Sequence, residues 1–294
     1  MIVAVASRKA SPGVTTLTAL LAGFWQEPDV LRVIVEADAS GGTLAARWNS
    51  AHDLSWDPGL LAMSAMRGQL DGDSLRTVTQ PLAENVCIAA APPGPGQIES
   101  ALMALGDKGA AALAAAPGVR VFVDCGRLSP SRPAVALARR AALTIVVCRP
   151  NLDEVYAVQP GIRELQDAGC TVGLVCVGEG QYHPTEIAES CQVDLVGVMP
   201  DDERAATAFN TDGFSAGRSF SKSQLARRMG ELASHVQVGC AQSLVPHQRP
   251  IEVELGGATD QLVDLEGPAP VGFASLVRDR PNGSSVYDSD GERS

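Results

Sequence analysis

Lysines, long apolar runs and cysteine pairs are rare or missing in this 294-residue sequence. No uninterrupted apolar stretch approaches the ~20 residues of a membrane-spanning helix, so no such helix is expected. A net charge of −11, from 23 basic and 34 acidic residues, argues against nucleic-acid binding driven by bulk charge, because phosphates are neutralised by clustered cations. A local basic patch stays open as an alternative.

The seven cysteines are odd in number and include no C-x-x-C pair, and the four histidines are scattered. We therefore expect buried free thiols in a reducing cytosol, with neither a disulfide framework nor a zinc site. The amino terminus, Met1 to Ala6, has no cationic segment before its apolar run. Its pattern predicts a strand and not a signal peptide, and hence a cytoplasmic protein.

What the sequence does contain is a regular alternation of short apolar runs with Ala- and Leu-rich helical stretches. That pattern predicts an α/β fold with a mostly parallel sheet covered by helices on both faces. In such folds ligands bind at the carboxyl ends of the strands. Seven strands are predicted, at 2–7, 32–36, 86–90, 119–124, 143–148, 171–177 and 193–198. Helices are predicted at 15–27, 43–49, 58–68, 97–115, 131–141, 152–168, 184–191, 202–209 and 221–237.

The composition changes near residue 239. Residues 1–238 are predicted to form one folded domain, and 239–294 an acidic, largely disordered tail, because 241–294 carries nine acidic and four basic residues among many Gly, Pro and Ser. The alternating apolar residues of 251–255 would suit a strand on a sheet edge or on a partner. Within the folded part, Pro160-Gly161 is expected to break or kink the predicted helix 152–168.

Residues 7–16, with the sequence S-R-K-A-S-P-G-V-T-T, join the first strand to the first helix. A strand, a tight loop and a helix N-terminus together present backbone N–H groups and a helix dipole to an anion. The hydroxyl of Thr15 stands at the helix start, where it could hold Mg²⁺. An ordinary turn at Pro12-Gly13 is the alternative interpretation of the same residues.

This loop resembles the deviant Walker A loop of the MinD/ParA group of P-loop ATPases, whose pattern is K-G-G-x-G-K-T-T. Lys9 falls on the first lysine and Gly13 on the glycine before the second lysine. The resemblance implies a P-loop NTPase fold of the SIMIBI type, with ATP and Mg²⁺ as ligands. It also implies a nucleotide-dependent homodimer, in which Lys9 would act catalytically on the partner's nucleotide. The nucleotide-binding residues that it implies in the loop are Lys9, Ser11, Gly13, Val14, Thr15 and Thr16.

The loop departs from the pattern at the second lysine, where Val14 stands, and at the glycine pair, which Ala10 and Ser11 replace. The missing lysine would reach the β- and γ-phosphates, and the loss of one such charge-stabilising group costs on the order of 10²–10³ in rate. The resemblance therefore implies ATP binding with weak or slow hydrolysis, and dimerisation as the output.

Three further segments match the same group in the expected chain order. Residues 36–42 (E-A-D-A-S-G-G) resemble its D-x-D-P-x-G loop, so Asp38 would orient the attacking water and approach Mg²⁺; the alternative is that Asp38 caps the helix at 43–49. Residues 121–126 resemble a Walker B strand, whose Asp124 would hold the metal shell. Thr15, Asp38 and Asp124 are therefore the implied metal residues.

The third segment, 198–210, resembles the group's late loop beside the adenine, which assigns Pro200 and Asp201 to nucleotide binding. The alternative is that Pro200 opens a helix that Asp201 caps. Arg149 follows strand 143–148 at a place where it would also come near the nucleotide.

The resemblance covers residues 1–238 and extends to MinD-like proteins of high-GC actinobacteria, through S-P-G-V-T-T at 11–16 and V-D-C-G-R at 123–127. It implies an ATP-dependent positioning or partitioning factor with an unidentified protein partner. The alternative is a pseudo-ATPase scaffold of a secretion, pilus or division machinery, similar to TadZ/CpaE proteins but without their extra N-terminal domain. The carboxyl end is acidic and poor in apolar residues, so no direct membrane anchor is expected.

Overall fold

A computed structural model describes residues 1–10, 12–66 and 70–243 of the protein. Its strands, in chain order, are β1 Ile2–Ser7, β2 Leu31–Glu36, β3 Gln80–Ala83, β4 Val86–Ala89, β5 Val119–Arg127, β6 Leu143–Cys148, β7 Val172–Val177 and β8 Asp194–Met199. They form one sheet in the order β3-β4-β2-β5-β1-β6-β7-β8. Every neighbouring pair is parallel except β3 and β4.

The mostly parallel α/β sheet predicted from the sequence is confirmed, and seven of its strands are the predicted ones. The eighth, β3, is a four-residue edge strand antiparallel to β4. It contains Pro81, which cannot donate to a ladder and is tolerated at an edge. A run this short with an internal proline carries no strand pattern, which is why the prediction missed it.

Eleven α-helices lie among the described residues. Pro160 lies inside α7, which continues to Asp167, so of the break or kink predicted at Pro160-Gly161 the break is wrong. The short α4 and α10 were not predicted. The helices are α1 Val14–Phe24, α2 Leu44–His52, α3 Leu60–Ala65, α4 Gly72–Val78, α5 Pro95–Ala115, α6 Val135–Arg140, α7 Leu152–Asp167, α8 Pro184–Cys191, α9 Glu203–Asp212, α10 Arg218–Ser221 and α11 Gln224–Ser243.

The helices cover both faces because the chain moves outward from β1 in both directions. A right-handed crossover from β1 to β2 puts α1 on one face, and one from β6 to β7 puts α7 on the other. Helix α11 packs against α1, and its apolar stripe is buried in the main core. The stripe consists of Leu225, Met229, Leu232 and Val236. Helix α11 is therefore a core-packing helix.

All seven cysteines are free and buried, as the sequence predicts. Among the described residues, no helix has both the length and the apolar character needed to cross a bilayer.

Helix α11 continues to Ser243, past the predicted division at 238. The predicted strand at 251–255 and all of the tail beyond 243 lie outside the described residues, so the division into domain and tail stays a prediction.

Candidate functional site

The loop between β1 and α1 is built around residues with left-handed backbone conformations. Gly13, which precedes α1, has φ 98°, and Ala10 has φ 58°. The Leu17 N–H donates to the Gly13 carbonyl at 2.8 Å, which starts the helix. No side chain caps this N-terminus and no acidic residue occupies its first turn. Free N–H groups at a helix start are an anion site. Ser11 lies outside the described residues.

The Thr15 side chain lies near the Asp124 carboxylate on β5, close enough to lower its pKa. The Gly126 N–H donates to Asp124 Oδ1 at 3.0 Å. Asp124 is 2% exposed, and this burial is the main reason that its pKa is raised to about 7, against the lowering effects of Thr15 and of the Gly126 N–H. The nearby carboxylates of Glu36 and Asp38 contribute to the rise. A cation here would remove the cost of holding the charged form.

Asp38, on the loop after β2, lies directly against Gly126 on β5. A Cβ added at Gly126 would stand 2.0 Å from Asp38 Cγ, and Gly126 has φ 53°. The Ser40 N–H donates to Asp38 Oδ1 at 2.8 Å. Glycine is thus the residue that lets the Asp38 carboxylate approach the end of β5, near Asp124.

The interpretation of Asp38 as a helix cap is wrong, because Glu36 takes that role. Glu36 accepts from the N–H groups of Thr43 and Leu44, at 2.8 and 2.9 Å, where α2 begins. Its other oxygen accepts from Ala91 N–H at 3.0 Å. Burial raises the pKa of Glu36 while these three bonds oppose the rise. Glu36 therefore links the start of the Asp38 loop to its end at Thr43 and Leu44, and to Ala91 after β4, and so positions Asp38.

The donor set fits Mg²⁺. A threonine hydroxyl and two carboxylates, from Thr15, Asp38 and Asp124, are the hard oxygen ligands that this ion prefers. In the described part of the chain, no three His, Cys, Asp or Glu side chains converge on a metal by themselves. Mg²⁺ usually keeps several waters and phosphate oxygens and needs only one or two protein carboxylates.

A cavity of about 480 Å³ opens beside the loop, a volume in the range of small-molecule sites. One wall comes from Pro12, Gly13 and Thr16, and the opposite wall from the segment after β8. The Thr16 hydroxyl donates to Asn210 Oδ1 at 2.9 Å, which joins the two walls. The lining after β8 includes Pro200, Asp201, Asp202, Glu203, Ala206, Thr207 and Asn210.

Asp201 forms an ion pair with Arg149 across this cavity. Arg149 Nη2 donates to Asp201 Oδ1 at 3.2 Å, and Nη1 contacts the other oxygen. Arg149 lowers the pKa of Asp201 by hydrogen bonding, and Asp201 raises the pKa of Arg149. The alternative in which Asp201 caps the next helix is wrong, since Asp202 does so by accepting from Ala205 N–H at 3.0 Å. Pro200 lies before that helix and does not open it.

The MinD/ParA pattern has two lysines in this loop, and this chain has Lys9 at the first position and Val14 at the second. Lys9 is half-exposed, and its Nζ lies 3.7 Å from Asp153 on α7. An exposed pair of this kind contributes little stability, so Lys9 is free to exchange partners. Val14 is 4% exposed and belongs to the main core. No positive charge stands at this second position.

Two residues that position the loop and cavity were missed by sequence reasoning. Arg8 donates to the Leu128 carbonyl and to Glu164 on α7, the latter at 2.6 Å, and so clamps the loop between β5 and α7. Gly161 leaves the space for it, since a Cβ there would lie 2.0 Å from Arg8 Nε. Asn210, the partner of Thr16, is the other. None of these contacts has a local sequence signal, because the partners are at least 120 residues apart.

Solved structures of similar architecture were found, although no family model and no curated protein matches the sequence. A ParA family ATPase from Chlorobium tepidum superposes with a TM-score of 0.66 and 18% identity, over 80% of this chain and 98% of that one. MinD from Pyrococcus horikoshii, complexed with Mg-ADP, gives 0.61 and 17%, over 83% and 99%.

A plasmid partition protein from Borrelia burgdorferi bound to AMPPNP gives a TM-score of 0.60 at 9% identity, over 81% of this chain and 98% of that one. At identities this low the likeness concerns architecture and not activity. The chain therefore has the MinD/ParA-type P-loop NTPase fold.

Proposed function

We infer that this protein binds ATP with Mg²⁺ and dimerises around it, as a MinD/ParA-like positioning or partitioning factor with weak hydrolysis. The observation that carries the proposal is the approach of Thr15, at the start of α1, to the buried Asp124 on β5. This contact puts a hydroxyl and a carboxylate beside an uncapped helix N-terminus, which suits a phosphate with its metal ion.

The proposed roles follow from position. Backbone N–H groups of Gly13, Val14 and Thr15 would bind phosphate oxygens, and Thr15, Asp38 and Asp124 would hold Mg²⁺ directly or through water. Asp38 would also orient the attacking water. Pro200 and Asp201 would border the base, with Thr16 on the other side of the cavity. Lys9 would leave Asp153 and reach the nucleotide of a second copy.

A second candidate is a pseudo-ATPase scaffold of a secretion, pilus or division machinery. Val14 favours it, because a buried apolar side chain replaces the cation that would neutralise the transferring phosphate. The donor set of Thr15, Asp38 and Asp124 favours the first candidate. A scaffold that binds no nucleotide would not require a buried carboxyl with a raised pKa, as Asp124 has. The two differ in whether ATP binds, which is measurable.

We expect Mg²⁺-ATP at millimolar concentration to raise the melting temperature. A ligand at 100 times its Kd stabilises the folded state by about 2.7 kcal/mol, which corresponds to roughly 5–10 °C for a domain of this size. Thermal unfolding with and without Mg²⁺ measures this. Thr15→Ala should remove the Mg²⁺-dependent part of the shift, whereas Thr77→Ala, at an exposed threonine on α4, should keep it. The absence of any shift would reject nucleotide binding.

Val14→Lys should increase ATP hydrolysis by on the order of 10²-fold, by restoring a charge-stabilising group beside the phosphates. Val14→Met is the matched control, because it adds a long side chain to the same buried position without charge. Both variants carry an overpacking cost of about 1–3 kcal/mol, and the lysine also carries the cost of desolvating its charge. Phosphate release measured on folded protein compares them. Equal rates for the two variants would show that charge at this position is not what limits hydrolysis.

A further inference from the structure

Strand β5 contains a bulge between Asp124 and Arg127. Val5 of β1 pairs with Asp124, but Ser7, two residues further on, pairs with Arg127, three residues further on. The extra residue falls at Cys125-Gly126, where Gly126 has the positive φ of 53°. Bulges beside functional sites commonly redirect the side chain that follows them.

The bulge places Arg127 on the face of the sheet from which Asp124 also projects. Side chains alternate along a strand, so two residues three apart normally point to opposite faces. Val5 and Ser7 share a face, and paired residues of neighbouring strands do too, which returns Arg127 to the face of Asp124. The Leu128 N–H donates to the Ser7 carbonyl at 3.1 Å, which keeps Arg127 level with the first residue of the phosphate-binding loop.

Arg127 is exposed, and among the described residues its guanidinium has no hydrogen-bond or ion-pair partner. The other guanidinium groups around the loop are engaged, since Arg8 pairs with Glu164 and Arg149 with Asp201. Lys9 lies 3.7 Å from Asp153 in an exposed pair that can exchange partners. Arg127 is therefore a guanidinium available to a ligand at the carboxyl edge of the sheet.

The position next to Gly126 specifies which part of a ligand Arg127 would meet. Gly126 lies against Asp38 and its N–H binds Asp124, and these two carboxylates belong to the metal and water side of the proposed site. That side of a nucleoside triphosphate carries the terminal phosphate. A guanidinium binds phosphate through two parallel N–H donors, which no lysine can do.

We propose that Arg127 binds the terminal phosphate of ATP and supplies the positive charge that Val14 does not. The proposal rests on the proposed function, because it assigns a residue to the same nucleotide site. It explains how a loop without the second lysine holds a triphosphate. It also predicts a preference for ATP over ADP that depends on one exposed side chain at the end of β5.

The test is calorimetric titration of Mg²⁺-ATP and Mg²⁺-ADP into the full chain and its variants. Arg127→Ala should weaken ATP binding about tenfold to hundredfold, as expected for the loss of a charged hydrogen-bonding group, and leave ADP binding unchanged. Arg127→Lys should recover part of the loss. Arg140→Ala is the matched control, since Arg140 is also exposed but lies at the end of α6, near the amino edge of the sheet.

The outcomes separate this inference from the proposed function. Wild-type ATP affinity in Arg127→Ala, or an equal loss for ATP and ADP, would overturn the assignment of Arg127 to the terminal phosphate while nucleotide binding stands. A wild-type protein that binds neither nucleotide would reject both. A loss confined to ATP in Arg127→Ala, with Arg140→Ala unaffected, is the result that supports the proposal.

Discussion

Asp124→Asn should stabilise the protein without nucleotide by up to about 4 kcal/mol at pH 8, and weaken Mg²⁺-dependent ATP binding. Burial raises the pKa of Asp124 from 3.8 to about 7, and each pKa unit corresponds to 1.36 kcal/mol. At pH 8 the folded protein therefore bears the cost of a buried charge. Asparagine keeps an oxygen for the Gly126 N–H and carries no charge, so the cost disappears.

The sign of the pH dependence follows from the direction of the shift. Between pH 3.8 and about 7 the folded state holds a proton on Asp124 that the unfolded state has released. The contribution of this group to the free energy of unfolding is therefore fully present below pH 3.8 and is lost as the pH rises through 7. The free energy of unfolding of the Asn variant, relative to that of the wild type, should increase over this interval and remain higher above it.

Urea unfolding of both proteins at pH 5, 6, 7 and 8 measures the difference. Asp29→Asn, at an exposed loop aspartate, is the control for the loss of one negative charge, and should show no such trend. Mg²⁺-ATP should close the gap by stabilising only the wild type. A constant difference between Asp124→Asn and the wild type from pH 5 to pH 8 would contradict the assignment of the raised pKa to Asp124.

The buried charge of Asp124 lowers the stability of the protein without ligand, and this cost is consistent with a role for the carboxyl in binding. Asp124 lies at the end of a strand whose other residues are almost all buried and apolar, and an apolar residue there would pack at lower cost. The carboxyl is useful only when a cation or a polar ligand lowers its pKa. Strongly shifted pKa values in a cleft are a mark of functional sites.

The local sequence pattern was enough to predict the parallel sheet and the position of the loop between β1 and α1. Ile2–Ser7 and Leu143–Cys148 are strands of the predicted length, because continuous β-branched runs have few alternatives. Gly13 and Thr15 were placed by their order within one short loop. These features depend on neighbours within ten residues, where spacing and propensity decide the structure.

The features that were not predicted depend on distant contacts. Glu36 was placed at the first aspartate of a motif, but its role as the anchor of the Asp38 loop depends partly on Ala91, 55 residues away. Pro160 should end a helix by local rules, yet α7 continues because its flanking residues Val158 and Ile162 are buried. Tertiary packing overrides local propensity at such positions.

Gly126→Ala is expected to cost at least about 3 kcal/mol of stability and to weaken the proposed binding of Mg²⁺-ATP. The substitution has two effects. A residue with a Cβ at φ 53° carries backbone strain of about 1–3 kcal/mol. In addition, the new Cβ would lie 2.0 Å from Asp38 Cγ, so the Asp38 carboxylate must move away from Asp124 or β5 must shift away from β1.

Gly118→Ala separates the two effects, because Gly118 stands just before β5 with φ 65° and has no atom within 4 Å of the added Cβ. It should show the backbone cost of about 1–3 kcal/mol alone and keep full ATP affinity. Chemical denaturation and ATP titration of both variants compare them. If Gly126→Ala loses no more stability than Gly118→Ala and binds ATP normally, Asp38 does not need its place beside β5, and the metal-site assignment of Asp38 fails with it.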